Sequence, residues 1–237
     1  MTDLTSDRPV SFVDGWCATD LGVHRPCRGT YEWYPYESLP PLAADRFDGG
    51  FGWLGGLGPA DPERVALLDG VSAALAGTGM QLPADFTAFH TSARCHGALD
   101  EVSVTACWTD ISGPLPSPVE PGARLVRFLR DQQDCVLWYL YLRPSGESFV
   151  VASPLDFEDL PEWDEADGAA DLSAAIARCA PTFEEFAYRF WVENRLWFAV
   201  HGEGPPSEPA LAEYLAHYTG TAEAASPGPC PVDSKHG

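Results

Sequence analysis

The sequence predicts an α+β fold: a single, mostly antiparallel sheet flanked by helices, preceded by an irregular N-terminal extension rich in aromatic residues, Gly and Pro. Three observations carry that expectation. Val65, Leu68, Val71 and Leu75 recur at three- and four-residue spacing, after Asp61-Pro62 and before Gly77, which gives an apolar helical stripe with a start and a stop. Cys135–Leu142 is apolar on both parities and leads through Arg143-Pro-Ser-Gly146 into Ser148–Ala152, the pattern of a hairpin whose first strand is covered on both faces. Thr182-Phe-Glu-Glu185 is a capping box that opens a long aromatic helix.

Residues 1–60 show no helical period. Tyr31-Glu-Trp-Tyr-Pro-Tyr36 and the glycine-dense Gly49–Gly58 dominate, and short strands are expected at most near Val10–Val13 and Thr30–Tyr34, with Asp14-Gly15 as a turn. At the first helix Asp61 can accept bonds from the free N–H groups, and Pro62 stands where its missing N–H costs nothing. In Leu82–Phe89 a Pro followed by Phe86 and Phe89 predicts a second, short helix docked on the first. Val102-Ser-Val-Thr-Ala-Cys-Trp108 alternates apolar with small polar residues and predicts a half-buried strand. A Pro-rich connection, Gly113–Pro118, leads to a further strand at Arg124–Leu129. Leu172–Cys179 reads as a short helix or a final strand.

The capped helix is about 18 residues long by its pattern. It places Phe183, Phe186, Phe190 and Trp197, with Ala187, Trp191 and Phe198, on one broad apolar face that should cross the sheet. A last helix spans Glu208–Tyr218 and ends at Gly220. The expected organisation is thus an extension over 1–60, a main domain over 61–220 and a disordered Ala/Pro/Gly-rich tail over 221–237.

Thirty-five acidic side chains against 14 basic ones give a net charge of −21, which argues against grip on a nucleic-acid backbone, since that needs clustered Lys and Arg. No run of 18 apolar residues is present, so no membrane span is expected. The Met1–Asp7 start lacks the basic-then-apolar pattern of a signal peptide, and a cytoplasmic protein is the expectation. Seven scattered cysteines, an odd count, read as reduced thiols rather than a disulfide frame.

Gly50-Phe-Gly-Trp-Leu-Gly55 matches G-x-G-x-x-G but has no strand before it and no helix directly after it. It therefore reads as a glycine loop whose Phe51, Trp53 and Leu54 plug the core, not as a phosphate cradle. Cys17, His24 and Cys27, and separately His90, Cys95 and His96, lack the paired short spacings of zinc sites, so no metal is assigned. H-E-x-x-H, P-loop and G-x-S-x-G motifs are absent; no catalytic residue and no cofactor is assigned, and His201 is given a structural role. Residues 155–171 hold eight acids and no base, including Asp156, Glu158, Asp159, Glu162, Asp164 and Glu165. This stretch reads either as a solvated linker or as a partner surface with Trp163 as its apolar anchor.

The order of these elements resembles the SUKH superfamily, which holds bacterial toxin-immunity proteins and a fungal cell-wall regulator. The likeness covers roughly residues 60–200. It rests on Leu82-Pro83-Ala84-Asp85-Phe86, the strands at Leu125–Leu129 and Trp138–Tyr141, and Ala180-Pro-Thr-Phe-Glu-Glu-Phe186. In place of the family's early Gly-Gly or Asn-Gly turn stands Arg94-Cys-His-Gly97, and the N-terminal 60 residues and the Trp-rich Phe190–Trp197 are not general features. The resemblance implies an α+β fold without catalysis that binds and blocks a toxin, often a nuclease.

The leading expectation is therefore a non-catalytic acidic binding protein for a basic partner such as a nuclease toxin. Trp138, Tyr139 and Tyr141 would be presented by the sheet, rimmed by Asp156, Glu158, Asp159, Glu162, Trp163, Asp164 and Glu165. Two alternatives stand beside it. One is an enzyme or accessory protein of a small-molecule pathway, with a pocket under the extension lined by His24, His90 or His96; the other is a regulatory scaffold for another cytoplasmic protein.

Overall fold

The computed structural model describes residues 9–159, 169–203 and 208–219. It is an α+β fold built on one sheet of eight strands: β1 (Val13–Ala18), β2 (Glu32–Pro35), β3 (Trp108–Thr109), β4 (Leu115–Pro116), β5 (Arg124–Arg130), β6 (Leu137–Leu142), β7 (Ser148–Ser153) and β8 (Ala177–Ala180). Their spatial order is β2-β1-β8-β7-β6-β5-β3, with β4 also on β5. Every described pairing is antiparallel except that of β1 with β8. The helices are α1 (Pro62–Leu75), α2 (Ala84–Thr91), α3 (Ala98–Val102), α4 (Ala169–Ala174), α5 (Phe183–Phe198) and α6 (Pro209–Thr219).

Local chemistry sets the helix boundaries. Asp61 Oδ1 accepts from the N–H groups of Glu63 and Arg64, and Thr182 Oγ1 accepts from Glu185 N, so α1 and α5 begin where their caps stand. The stretch 13–35 is more regular than its composition suggests, for it supplies two strands of the main sheet. β1 lies between β2 and β8, and Trp16, Cys17 and Ala18 enter the common core. Leu172–Cys179 holds the end of α4 and most of β8.

The expected strand at Val102–Trp108 does not form. The chain there makes α3 and then a tight turn with Ala106 at φ 53°, and only Trp108–Thr109 pairs with β5. Side-chain oxygens take the backbone donors that a strand would need. Asn194 accepts from Val104 N, Ser103 from Cys107 N, and Asp100 from Thr109 N.

Both faces of the sheet are covered. Trp138, Leu140, Val126, Phe128 and Val150 face α5 and α2 in the larger core, where Phe183, Phe186 and Phe51 are fully enclosed. Leu125, Leu137, Tyr139, Tyr141, Phe149 and Val151 face the other way, under Phe12, Val119, Leu155, Phe157 and Ile176. A third cluster joins α5 to α6 through Tyr188, Val192, Leu196, Leu211 and Tyr214.

A buried polar network ties the N-terminal stretch to α5 and α6. Glu193, 2% exposed, accepts from Trp16 Nε1 at 2.7 Å, from Arg25 Nη1 and Nη2 at 2.6 and 2.7 Å, and from Tyr214 Oη at 2.7 Å. Arg189 donates to the same Tyr214 hydroxyl at 2.8 Å and to the Pro40 carbonyl at 3.1 Å. Burial pushes the Glu193 carboxyl up, but Arg25 and the hydrogen bonds outweigh it, so its pKa lies below the ordinary value. Arg25→Met should therefore leave a buried carboxylate without its cation and cost about 3–5 kcal/mol. Equilibrium urea unfolding measures this, and a loss under about 1 kcal/mol, the worth of a surface pair, would refute it.

His90 makes the opposite case. It is 1% exposed, neither ring nitrogen has a hydrogen-bond partner among the described residues, and Phe86, Phe89, Phe128 and Phe183 enclose it. Burial first, then the charges of Arg64 and His96, lower its pKa from 6.5 to about 3. The unfolded chain thus takes up this proton below pH 6.5 while the folded chain does not until about 3. The contribution to stability is full above pH 6.5 and is lost as pH falls toward 3, at about 1.4 kcal/mol per pH unit. His90→Leu should flatten the acid side of the stability curve by that slope; an unchanged slope in pH-resolved denaturation would count against it.

Candidate partner-binding surface

The sheet does not present Trp138, Tyr139 and Tyr141. They are 1%, 0% and 0% exposed, because β6 is central and covered on both faces. The two phenols instead fasten the covering loops. Tyr139 Oη donates to Leu155 O at 2.9 Å and accepts from Phe157 N at 3.2 Å; Tyr141 Oη lies 2.8 Å from Ser117 Oγ and donates to Glu120 at 3.3 Å. Tyr139 thereby fixes the start of the acidic stretch. Glu162, Trp163, Asp164 and Glu165 lie outside the described residues.

Asp156 and Glu158 are not part of a self-repelling run. Both close on Arg127, which β5 points into this face: Nη1 reaches Asp156 at 2.7 Å and Nη2 reaches Glu158 at 2.8 Å. Asp110 reaches the same guanidinium at 2.9 Å and Arg130 at 3.1 Å, while Arg130 also holds Asp134 at 2.6 Å. Burial pulls the Arg127 pKa down, and Asp110, Glu158 and Asp156 together lift it above the ordinary value. Asp159 stays exposed at the end of the cluster. Trp108, 39% exposed on the short edge strand, stacks under Arg130 with the guanidinium carbon 5.4 Å from the ring centroid. The arrangement is an acidic rim with two arginines inside it and one aromatic ring at its edge. Sequence reasoning missed Arg127 and Trp108. The available signal was a charged residue, Arg127, inside an otherwise apolar strand.

The glycine loop has an anion partner of its own. Gly49 N and Phe51 N donate to the Glu184 carboxylate at 2.6 and 3.0 Å, and Trp53 Nε1 donates at 3.2 Å. Phe51 plugs the core, and its backbone sits at φ 51° to aim these donors. Beside this loop a cleft of about 310 Å³ opens between the starts of α2 and α5. Among the described residues neither histidine nor cysteine lines it. His90 is sealed in its aromatic cage, and His96 Nδ1 lies 2.9 Å from the Ser92 carbonyl. Among the described residues no group of three or more His, Cys, Asp and Glu is placed to hold a metal ion, and no helix is long and apolar enough to cross a membrane.

Arg127→Met should remove the common partner of Asp110, Asp156 and Glu158. A cost of about 1.5–3 kcal/mol is expected for lost bonds to charged groups, with faster hydrogen exchange at the amides of Phe157 and Glu158. Unchanged exchange there would show that Tyr139 alone holds the segment. Comparison of the chain with protein-family models, with curated proteins and with solved structures finds no match in any of the three.

Proposed function

We propose that this protein is a non-catalytic binding protein for a basic protein partner, of the kind an immunity protein of the SUKH type presents to a nuclease toxin. The observation that carries the reading is the excess of exposed acids over exposed bases. Arg25, Arg127, Arg143 and Arg189 are buried, and they meet Glu193, Asp110, Asp156, Glu120 or the Tyr214 hydroxyl inside the structure. Exposed acids such as Asp14, Glu37, Asp45, Glu63, Asp69 and Glu101 stand outside those pairs. Arg28, Arg46, Arg94 and Arg195 are exposed as well, but exposed acids outnumber them, and a net negative field speeds encounter with a basic target and repels an acidic one.

The rim formed by Asp110, Asp134, Glu158 and Asp159 is the surface assigned to that partner, with Trp108 as its aromatic contact. Tryptophan next to ordered charge is the side-chain type that most often dominates interface energies. Co-expression with basic toxins encoded near its gene tests the reading, and rescue of growth is the expected result. For a purified pair, raising salt from about 0.05 to about 0.5 M should slow association tenfold or more. Trp108→Ala should weaken Kd by about thirtyfold, or about 2 kcal/mol. Affinity indifferent to salt and to Trp108 would exclude this surface.

A further inference from the structure

The end of α5 carries a histidine whose two ring nitrogens both face acceptors. Past Phe198 the helix passes into a π-helical turn, Ala199–Glu203, and His201 stands within it. Its Nδ1 lies 2.9 Å from the carbonyl oxygen of Trp197, and its Nε2 lies 3.0 Å from Asp20 Oδ2, in the loop that follows β1. A neutral imidazole has one N–H and can donate to one of these oxygens; its other nitrogen then turns a lone pair on an oxygen at hydrogen-bond distance. Only the imidazolium donates to both. Two further features favour that cation. The ring lies on the Trp197 indole, with centroids 4.5 Å apart and planes 20° from parallel. It also sits beside the carbonyls at the C-terminal end of α5, where positive charge is stabilised. The side chains of His201 and Asp20 are 31% and 34% exposed, so solvent protons reach the pair.

We propose that His201 is a proton-operated latch: as the imidazolium it ties the last turn of α5 to the Asp20 loop, and on losing its proton it releases one of the two. The latch stands whether or not a basic partner binds. What it holds is the loop that carries Arg25 to Glu193. Asp20 spans that loop, since its Oδ1 accepts from Cys27 N at 2.9 Å while Oδ2 faces His201. Burial pushes the Asp20 carboxyl up, but the bonds from Cys27 and His201 outweigh it and hold its pKa below the ordinary value, so Asp20 stays charged across the range in which histidine titrates. The cations on the two elements are committed elsewhere, Arg25 to Glu193 and the Tyr218 hydroxyl, and Arg195 to Glu208. His24, half-buried on the same loop, is a second histidine that has to be told apart from His201. The latch is closed at the acid end of the histidine range and open at the alkaline end, the reverse of the His90 cage.

The test is hydrogen exchange of the Cys27 amide in the full chain, scaled by its intrinsic rate, at about pH 5 and about pH 8, the limits of the histidine range. Protection at the acid end is expected to be at least about threefold higher, the scale of a partly exposed ion pair. His201→Gln and Asp20→Asn should each equalise protection at the two pH values. In Asp20→Asn the side-chain oxygen still accepts from Cys27 N but carries no charge. His24→Gln should keep the wild-type ratio, and the remaining amide spectrum of each variant reports that the fold is intact. A wild-type ratio near one overturns the inference and leaves His201 a structural residue. A ratio that survives in His201→Gln or in Asp20→Asn also overturns it. Loss of the ratio in His24→Gln places the switch on that residue and overturns the assignment to His201.

Discussion

The carboxylate of Glu193 constrains the whole molecule. A charge this deep costs several kcal/mol unless cations and donors come to it, and the chain brings them from four places. Trp16 arrives from β1, Arg25 from the loop after it, and Tyr214 from α6, while Arg189 bonds to Tyr214 one turn earlier on α5 itself. The first strands and the last helix therefore close on the same point of α5. The guanidinium of Arg25 is further held over the rings of Tyr34 and Tyr218, so β2 and the end of α6 share in the same assembly.

Scarcity of cations explains much else. With 14 basic side chains for 35 acids, each buried arginine serves two or more oxygen acceptors at once. Arg127 gathers three acids, and Arg143 gathers Glu120 and Glu147 while lying over Phe149. This arrangement orders the loops that cover the second face of the sheet. It also leaves the outside negative, and at the cleft beside α5 it leaves a buried acid, Glu184, whose partners among the described residues are neutral donors.

What was legible in the sequence is what local chemistry determines. The caps at Asp61 and Thr182, the Val65–Leu75 stripe and the β6–β7 hairpin each depend on residues a few positions apart. Non-local partners were not legible. β1 pairs locally with β2, but it joins the main sheet only because β8, more than a hundred residues on, pairs with its other edge. Val102–Trp108 lost its strand to acceptors on Asp100, Ser103 and Asn194, one of them on another helix. The both-parity pattern of β6 argues for burial of Tyr139 and Tyr141 rather than for their presentation to a partner, and the covering loops provide the bonds the phenols need. At the candidate site only Asp156, Glu158 and Asp159 were visible beforehand; Arg127, Trp108 and Glu184 gain their meaning from tertiary contacts. The glycine loop has the backbone donors of an anion nest, and Glu184 occupies it from within.

The parallel contact between β1 and β8 sets an order on biosynthesis. A chain leaving the ribosome exposes Trp16 and its strand long before residues 177–180 emerge to take them up, and Glu193 follows later still. The middle strands can zip together from neighbouring segments while the opening segment waits. Closure of the sheet is thus a late, nearly post-translational event. Nascent chains halted before β8 should be the species that chaperones recognise, with a β1–β2 ribbon whose inner edge and apolar face are still uncovered.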